Sequence, residues 1–562
     1  MLEIKALRLL RFGLLLVTVL TTLWMAPYTS LDPVSLPKMS ILVFLSLILC
    51  GIWLPRTKLL FRSEYKRAMI LTSIFIFLLP PIVLFSGSGI WLQIYGTYGR
   101  NTGALTYFGL ALLLLSTVFA TNVQFLKTFM KVFMVLGILL IIYGQIQNQG
   151  LDPFPFQNLY GSNVFGTLGN PNFMSAFMGI VAVVAVGLSI DKGLQIWIKL
   201  FLILVGLAAL VTIFETNSVQ GFLNFFAGIT SLLIIWLFMI GKSKVGYVFS
   251  SFALLGGGLV FLGIVNIGPL ASYLYKSSLQ ARGFYWRAAL NMLLNHPLFG
   301  VGMDGYGDWY RRSRTPEDTL LSPATNTDTA HSVFLDIASN GGFPLIVVYL
   351  AVLTLVVVSI VKVIRRSKEF NVFFASVVGA WIAYQAQSLI SINAIGLAIW
   401  GWMLSGLIIG YEISTRNQNE NSPVNSNKIK RNYRNQKSET LSSATLISVF
   451  TTSLIAALLA LPPYIAANKF YIALKSSNAL EVQQSAYLKP FDRVRFTFVA
   501  SNLAQNNLND EALNVIRDAV KHFPNSFEAW SIFAKLPNAS VDEIIKARNE
   551  LRRLDPHNPE YK

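Results

Sequence analysis

Runs of about 18 or more apolar residues, separated by short polar connections, recur along the chain as far as position 466. Each is long enough to cross a hydrocarbon core of about 30 Å. Thirteen runs, centred near residues 19, 46, 77, 112, 136, 181, 205, 231, 256, 353, 382, 404 and 453, predict thirteen transmembrane helices. The connections alternate in character. Lys5, Arg8 and Arg11, residues 56–67, Lys127 and Lys131, Lys192 and Lys199, Lys242 and Lys244, 365–368 and 416–437 form a basic set. Between them, 29–37, 147–172, 215–220 and 393–395 hold no Lys or Arg, and 86–102 holds only Arg100. The positive-inside rule puts the basic set, with the N-terminus, in the cytoplasm. The first run begins like a signal peptide, but its length and the run that follows predict a retained anchor.

Two segments are too polar for the bilayer, and the same alternation puts both outside: 268–342 and 467–562. The predicted organisation is an all-α polytopic unit over 1–413, with 268–342 as its extracytoplasmic loop. A cytoplasmic linker follows over 414–440, then a final transmembrane helix over 441–466 and an extracytoplasmic helical tail over 467–562. In the tail Pro490, Pro524 and Pro556 stand 34 and 32 residues apart, with Glu511-Ala512-Leu513-x-x-Ile516-x-x-Ala519 at helical spacing between them. This pattern resembles two or three tetratricopeptide units, which either hold a protein partner or cap the outer face.

Composition agrees with the pattern. Of 562 residues 54% are hydrophobic and 13% charged, against about a quarter charged in soluble domains, which excludes a string of soluble domains. The net charge of +18 would suit a nucleic-acid binder, but much of it lies in the basic connections that set topology, so no nucleic-acid partner is expected. The single cysteine, Cys50, lies in an apolar run and offers neither an intrachain disulfide nor a thiolate metal cluster.

Polar groups held against a membrane are costly and point to function. Four clusters fall at outer ends of the predicted spans. Gly96-x-x-Gly99-Arg100-Asn101-x-Gly103 carries the only cation in a short outer connection. Tyr143-Gly144-Gln145-Ile146-Gln147 leads to Gly169-Asn170-Pro171-Asn172, where the amides need partners, from a substrate or from another helix. The long loop carries Arg282-Gly283-Phe284-Tyr285-Trp286-Arg287, then His296-Pro297-Leu298-Phe299-Gly300-Val301-Gly302, then Arg311, Arg312 and Arg314, then Thr329-Ala330-His331-Ser332. Arginine forks among aromatic rings suit a phosphate carried by a lipid or sugar, or simply an anionic membrane surface. Tyr384-x-x-Gln387-Ser388-x-x-Ser391-x-Asn393 lines up polar groups on one helical face, and Ser218-x-Gln220-Gly221 opens a span and serves equally as a helix cap.

Taken in order, the Gly-x-x-x-Arg-x-x-Gly stretch, Tyr-Gly-x-x-Gln with Gly-Asn-Pro-Asn, Ser-x-Gln-Gly, Arg-x-x-x-Trp with His-Pro-Leu-x-Gly-x-Gly, the loop histidine and Tyr-x-x-Gln-Ser resemble bacterial O-antigen ligases, O-antigen polymerases and O-linked protein oligosaccharyltransferases, over roughly residues 80–415. The resemblance implies a polytopic, metal-independent glycosyltransferase without a cofactor, acting in the bacterial inner membrane. Its donor would be a glycan on undecaprenyl diphosphate and its acceptor a lipid or protein hydroxyl. It implies activity at Gln147, His331 and Tyr384, diphosphate binding at Arg100, Arg282 and Arg287, and a substrate contact for Gln387. One departure stands out: where many relatives place an arginine after the serine of Ser-x-Gln-Gly, this chain has Val219. Such chemistry needs arginine to stabilise the leaving diphosphate and histidine to take the acceptor's proton. The outer connections contain no acidic motif clustered in sequence, as a metal-dependent transferase would require.

A lipid-linked oligosaccharide flippase or other transporter is the main alternative from another class, but no duplication between halves is visible and the polar clusters sit at span ends rather than mid-bilayer. A scaffold with a membrane anchor would not need thirteen spans.

Overall fold

The computed structural model describes residues 3–154, 164–274, 277–367, 369–416, 441–476 and 478–561, and among them there is no strand. Twelve helices are long and apolar enough to cross a membrane, and a thirteenth, Ala104–Ala120, has 17 residues. Each expected span corresponds to one of these thirteen helices. Most of the expected linker, 417–440, lies outside the described residues.

The helices differ in how much of their surface is enclosed. Ile395–Ser414 is buried all round, and Pro171–Ser189 is nearly so. Their sequences explain this: Gly396, Gly401, Gly406 and Gly410 stand where a Cβ would collide with Leu168, Tyr384, Thr117 and Thr121, so neighbouring helices approach closely. Trp400 packs among Phe129, Phe133 and Phe177, with centroids 4.8–5.8 Å away. Ser243–Ile264, by contrast, has only 11% of its apolar window buried and lies at the periphery. Ser35–Trp53 packs along Ser443–Lys475.

The expected 268–342 loop is largely helical. It contains Ser277–Asn295, Tyr306–Ser313 and Pro316–Leu321, and its last ten residues already belong to Val333–Arg366. That helix kinks at Gly342 (φ 71°), where the Pro297 carbonyl accepts from Phe343 N–H at 2.8 Å. The His-Pro-Leu-x-Gly-x-Gly motif is shaped for this contact. Val301 and Gly302 donate their N–H groups to Ser339 and Asn340 carbonyls at 2.8 and 3.0 Å, and a Cβ on Gly300 would lie 2.4 Å from the Ser339 carbonyl oxygen. Only glycine permits both the left-handed turn and that approach.

The tail forms helices Ala479–Ser485, Arg493–Gln505, Asn509–His522, Phe527–Phe533 and Val541–Leu554 around a core including Phe496, Ile516 and Trp530, with the three prolines between or after helices. It is bolted to the long loop. Asp555, fully buried, accepts from Arg314 at 2.9 Å through both oxygens and from Arg311 at 3.1 Å, and Arg493 pairs with Asp308. Asn468 also donates to the Thr29 carbonyl at 3.1 Å. The tail therefore caps the end of the bundle that carries the long loop, here termed the loop face.

Candidate functional site

Three chain segments meet at the loop face. In the first, Gly96 (φ 83°), Gly99 (φ 84°) and Asn101 (φ 54°) fold the chain into a turn that presents Arg100. Asp304, more than 200 residues away, clamps this turn: its Oδ2 accepts from Thr97 N–H at 2.7 Å and Thr102 N–H at 3.3 Å. A Cβ on Gly96 would lie 2.4 Å from the same oxygen, so the glycine makes room for the clamp. Burial pushes the Asp304 carboxyl up to about 6 despite the Thr97 N–H opposing it. Arg100 donates from Nε to Asp328 Oδ2 at 2.9 Å.

The second segment holds His331 in a left-handed conformation (φ 53°) immediately before the helix Val333–Arg366. Non-glycine residues seldom adopt it, and it persists only where the surroundings over-determine it. One determinant is Asp336, whose Oδ1 accepts from Ala330 N–H at 2.7 Å and so ties the loop to the helix it precedes. The third segment, Ser277–Asn295, brings Arg282 and, three residues on, Tyr285, whose ring centroid lies 5.2 Å from that of His331. Burial, then Arg282 and then Arg100 lower the His331 pKa to about 4, with Asp328 opposing, so the imidazole is neutral at ordinary pH. Burial also lowers the Arg282 pKa, though it leaves the guanidinium charged.

Next to this group lies a cavity of about 400 Å³, within the range of small-ligand sites. Arg100, Asp32, Lys38, Asp304, Asp336, Asn340, Tyr107 and Asn393 contribute to its wall. Asp32, Asp304 and Asp336 line one cavity, with Asp328 bonded to Arg100 beside it, because folding joins positions up to about 300 apart. These acids do not converge as ligands: among the described residues no group of three or more His, Cys, Asp or Glu side chains is arranged to hold a metal.

Gln147 and Tyr384 stand one layer behind the wall. Gln147 donates to Asp152 Oδ2 at 2.8 Å and accepts from Phe165 and Gly166 N–H groups at 3.1 and 2.7 Å, pinning the stretch whose Phe165 and Leu168 line the cavity. The Tyr384 hydroxyl donates to Asn393 Oδ1 at 3.3 Å, and Asn393 donates to the Tyr107 hydroxyl at 3.1 Å. Both are therefore placed to position wall residues. Gln387, one turn beyond Tyr384, is buried with Nε2 unbonded and does not reach the wall. Arg287 forms a two-pronged ion pair with Asp318 at 2.9 and 2.5 Å, away from the cavity. Of the other loop arginines, Arg311 and Arg314 hold the tail, and Arg312 lies 3.6 Å over the Trp309 ring.

Lys38 was missed. It is 1% exposed in the first turn of Ser35–Trp53 and donates to the Thr22 and Thr167 carbonyls at 3.0 and 2.7 Å. A lone lysine within an apolar run is itself the signal that flags it. Asp32, beside it, caps the same helix by accepting from the Val34, Ser35 and Leu36 N–H groups.

Residues 203–350 match the family model described as O-Antigen ligase, a stretch that includes Arg282 and His331. No curated protein matches the chain.

Proposed function

We propose, from the match of residues 203–350 to the O-antigen ligase family model, that the chain transfers a glycan from undecaprenyl diphosphate to an acceptor hydroxyl of a lipid or protein. The reaction would take place at the extracytoplasmic side of the bacterial inner membrane, with the N-terminus in the cytoplasm and the tail outside. The observation that carries this reading is the meeting of Arg100, Arg282 and a neutral His331 beside the cavity at the loop face. The acceptor oxygen attacks the anomeric carbon, its proton passes to His331, and the bond to the diphosphate breaks with its electron pair leaving on phosphate oxygen. Arg100 and Arg282 stabilise that growing charge. No step requires a metal or cofactor.

The diphosphate also assists the base. Without ligand, the two guanidinium groups hold the imidazole's proton affinity down. A bound anion offsets them, so His331 becomes a stronger base when the donor is present.

The glycan left by a deletion strain tests the reading. Polymer stranded on its lipid carrier indicates a ligase, single repeat units a polymerase, and unglycosylated protein a transferase to protein. Carrier-linked glycans identical to wild type would sink it. The proposed orientation is checked by replacing Cys50, introducing cysteines at Ser322, Ser426 and the exposed tail position Gln505, and labelling spheroplasts with an impermeant thiol reagent. Labelling at 322 and 505 but not at 426 is expected.

A further inference from the structure

A cleft of about 480 Å³ lies where the tail meets the long loop, and it shares a partition with the cavity described above. Thr329 lines the cavity, whereas Thr327 and Asp328 line the cleft. Likewise Asp304 lines the cavity, whereas Gly307 and Asp308 line the cleft. The partition is closely packed: Thr327 Oγ1 donates to the Thr329 carbonyl at 2.9 Å, and a Cβ on Gly307 would lie 3.2 Å from Asp328 Cα. Through Asp328 the cleft adjoins the reacting groups, since that carboxylate accepts from Arg100 and its charge acts on His331.

The opposite wall belongs to the tail. Ser501, on Arg493–Gln505, and Glu528 and Ser531, on Phe527–Phe533, line the cleft with side chains that make no hydrogen bond or ion pair among the described residues. Hydroxyls both donate and accept, and a carboxylate accepts, so these groups suit a ligand rich in hydroxyls. Each lining arginine already faces a carboxylate, Arg493 at Asp308 and Arg311 at Asp555, which leaves no guanidinium reserved for a phosphate. Apolar lining is confined to Phe527, Ile532 and Leu554, with Arg311 lying 4.0 Å over the Phe527 ring, so there is little surface for an acyl chain.

We propose that this cleft is the acceptor subsite, holding the sugar end of a glycolipid acceptor with one hydroxyl directed at His331, and that the tail therefore completes the active site instead of only capping the bundle. The inference rests on the transfer reading above and adds where the acceptor binds and which chemical class it is. The cleft has the size of a small-ligand site, enough for a short oligosaccharide. The Arg100–Asp328 pair stands between the cleft and the cavity and is part-exposed. Such pairs are weak, so this one can part as the acceptor enters.

The test uses the full-length protein with Cys50 replaced and either Ser531→Cys in the cleft or Lys546→Cys on the exposed face of Val541–Leu554 as a control. Ser531→Cys adds no bulk before folding. Each purified protein is then alkylated with a bulky maleimide and assayed in vesicles carrying the host's lipid-linked donor and glycolipids. Alkylation at 531 should lower transfer roughly tenfold or more while donor KM stays within about twofold, the signature of a lost acceptor contact. Alkylation at 546 should change neither. Undiminished transfer after alkylation at 531, or a donor KM that rises in step with the loss, overturns the inference alone. Two probes test the class: oligosaccharide freed from the host's glycolipids by mild acid, and a serine-rich peptide. The oligosaccharide, and not the peptide, should slow alkylation at 531. Protection by the peptide alone, or by neither, also overturns the inference. If unmodified protein transfers nothing, the transfer reading falls and the inference with it.

Discussion

The long loop contains two arginine groups that look alike in sequence and do opposite work. Arg311 and Arg314 meet a fully buried carboxylate of the tail, Asp555, and their charge is consumed in holding two parts of the molecule together. Arg282 makes no ion pair among the described residues and, with Arg100, surrounds His331, where its field lowers the histidine's proton affinity. Arginine interleaved with aromatic residues is therefore ambiguous. What distinguishes a fastening from a ligand site is whether the pair is enclosed: Arg314 and Asp555 are fully buried together, whereas Arg100 and Asp328 stay part-exposed beside the cavity.

The sharpest way to break this contrast is at the histidine. His331→Gln keeps hydrogen bonding but cannot accept the proton, and transfer should fall by about 10² to 10⁴ in a protein that still binds donor. A near wild-type rate would remove His331 as the base. Its protonation carries a further signature. The imidazolium has no lone pair, so activity is lost as pH falls through the histidine's pKa. In kcat/KM, which reports the free protein, that limb belongs near 4 rather than the ordinary 6.5. The limb in kcat should lie at higher pH, because bound diphosphate offsets Arg282 and Arg100. Coincident limbs would argue against an anion at this site.

On the fastening side, Asp555→Ala leaves two guanidinium groups facing each other in the interface, Arg314 fully buried. Removing one partner of such a group costs about 3–5 kcal/mol, read as easier proteolytic release of the tail. Donor KM should stay within about twofold, since the lost contact is structural.

Arg282→Ala and Arg100→Ala should each weaken donor use roughly ten- to a hundredfold, the range for a charged hydrogen bond. Lysine should restore part of the loss, because a point charge lacks the forked geometry. Wild-type turnover in folded alanine variants would move these residues to the structural group. The smallest effect belongs to Arg287→Ala. Arg287 is half exposed and already paired with Asp318, and exposed pairs are worth about 0–1 kcal/mol, so donor kinetics should change less than about twofold.

Much of the architecture was legible because a long apolar run has one stable solution in a bilayer. The run near 112 was found in the same way, although its helix, Ala104–Ala120, has only 17 residues. The site was legible in its parts but not in its layers. Gln147 and Tyr384 stood out as polar groups near span ends, but no pattern along the chain says that their side chains face a wall residue rather than the cavity. Asp304 and Asp336 were invisible for a different reason. An isolated aspartate in a loop is ordinary, and only the return of residues 300–342 to the turn at 96–103 makes those two acids neighbours of Arg100. The glycines of His-Pro-Leu-x-Gly-x-Gly carried the clue to that return, since Gly300 and Gly302 fit only against another backbone or a buried side chain.

The wall of the cavity draws on residues from Leu31 to Gly396. During synthesis, a chain whose first eleven spans have entered the membrane still lacks Ile395 and Gly396, which begin the most enclosed helix of the bundle. The pocket is therefore completed late. A ribosome-bound intermediate already carries the loop histidine and arginines in its sequence but lacks part of the wall beside them, so the cavity cannot be enclosed until the twelfth span arrives.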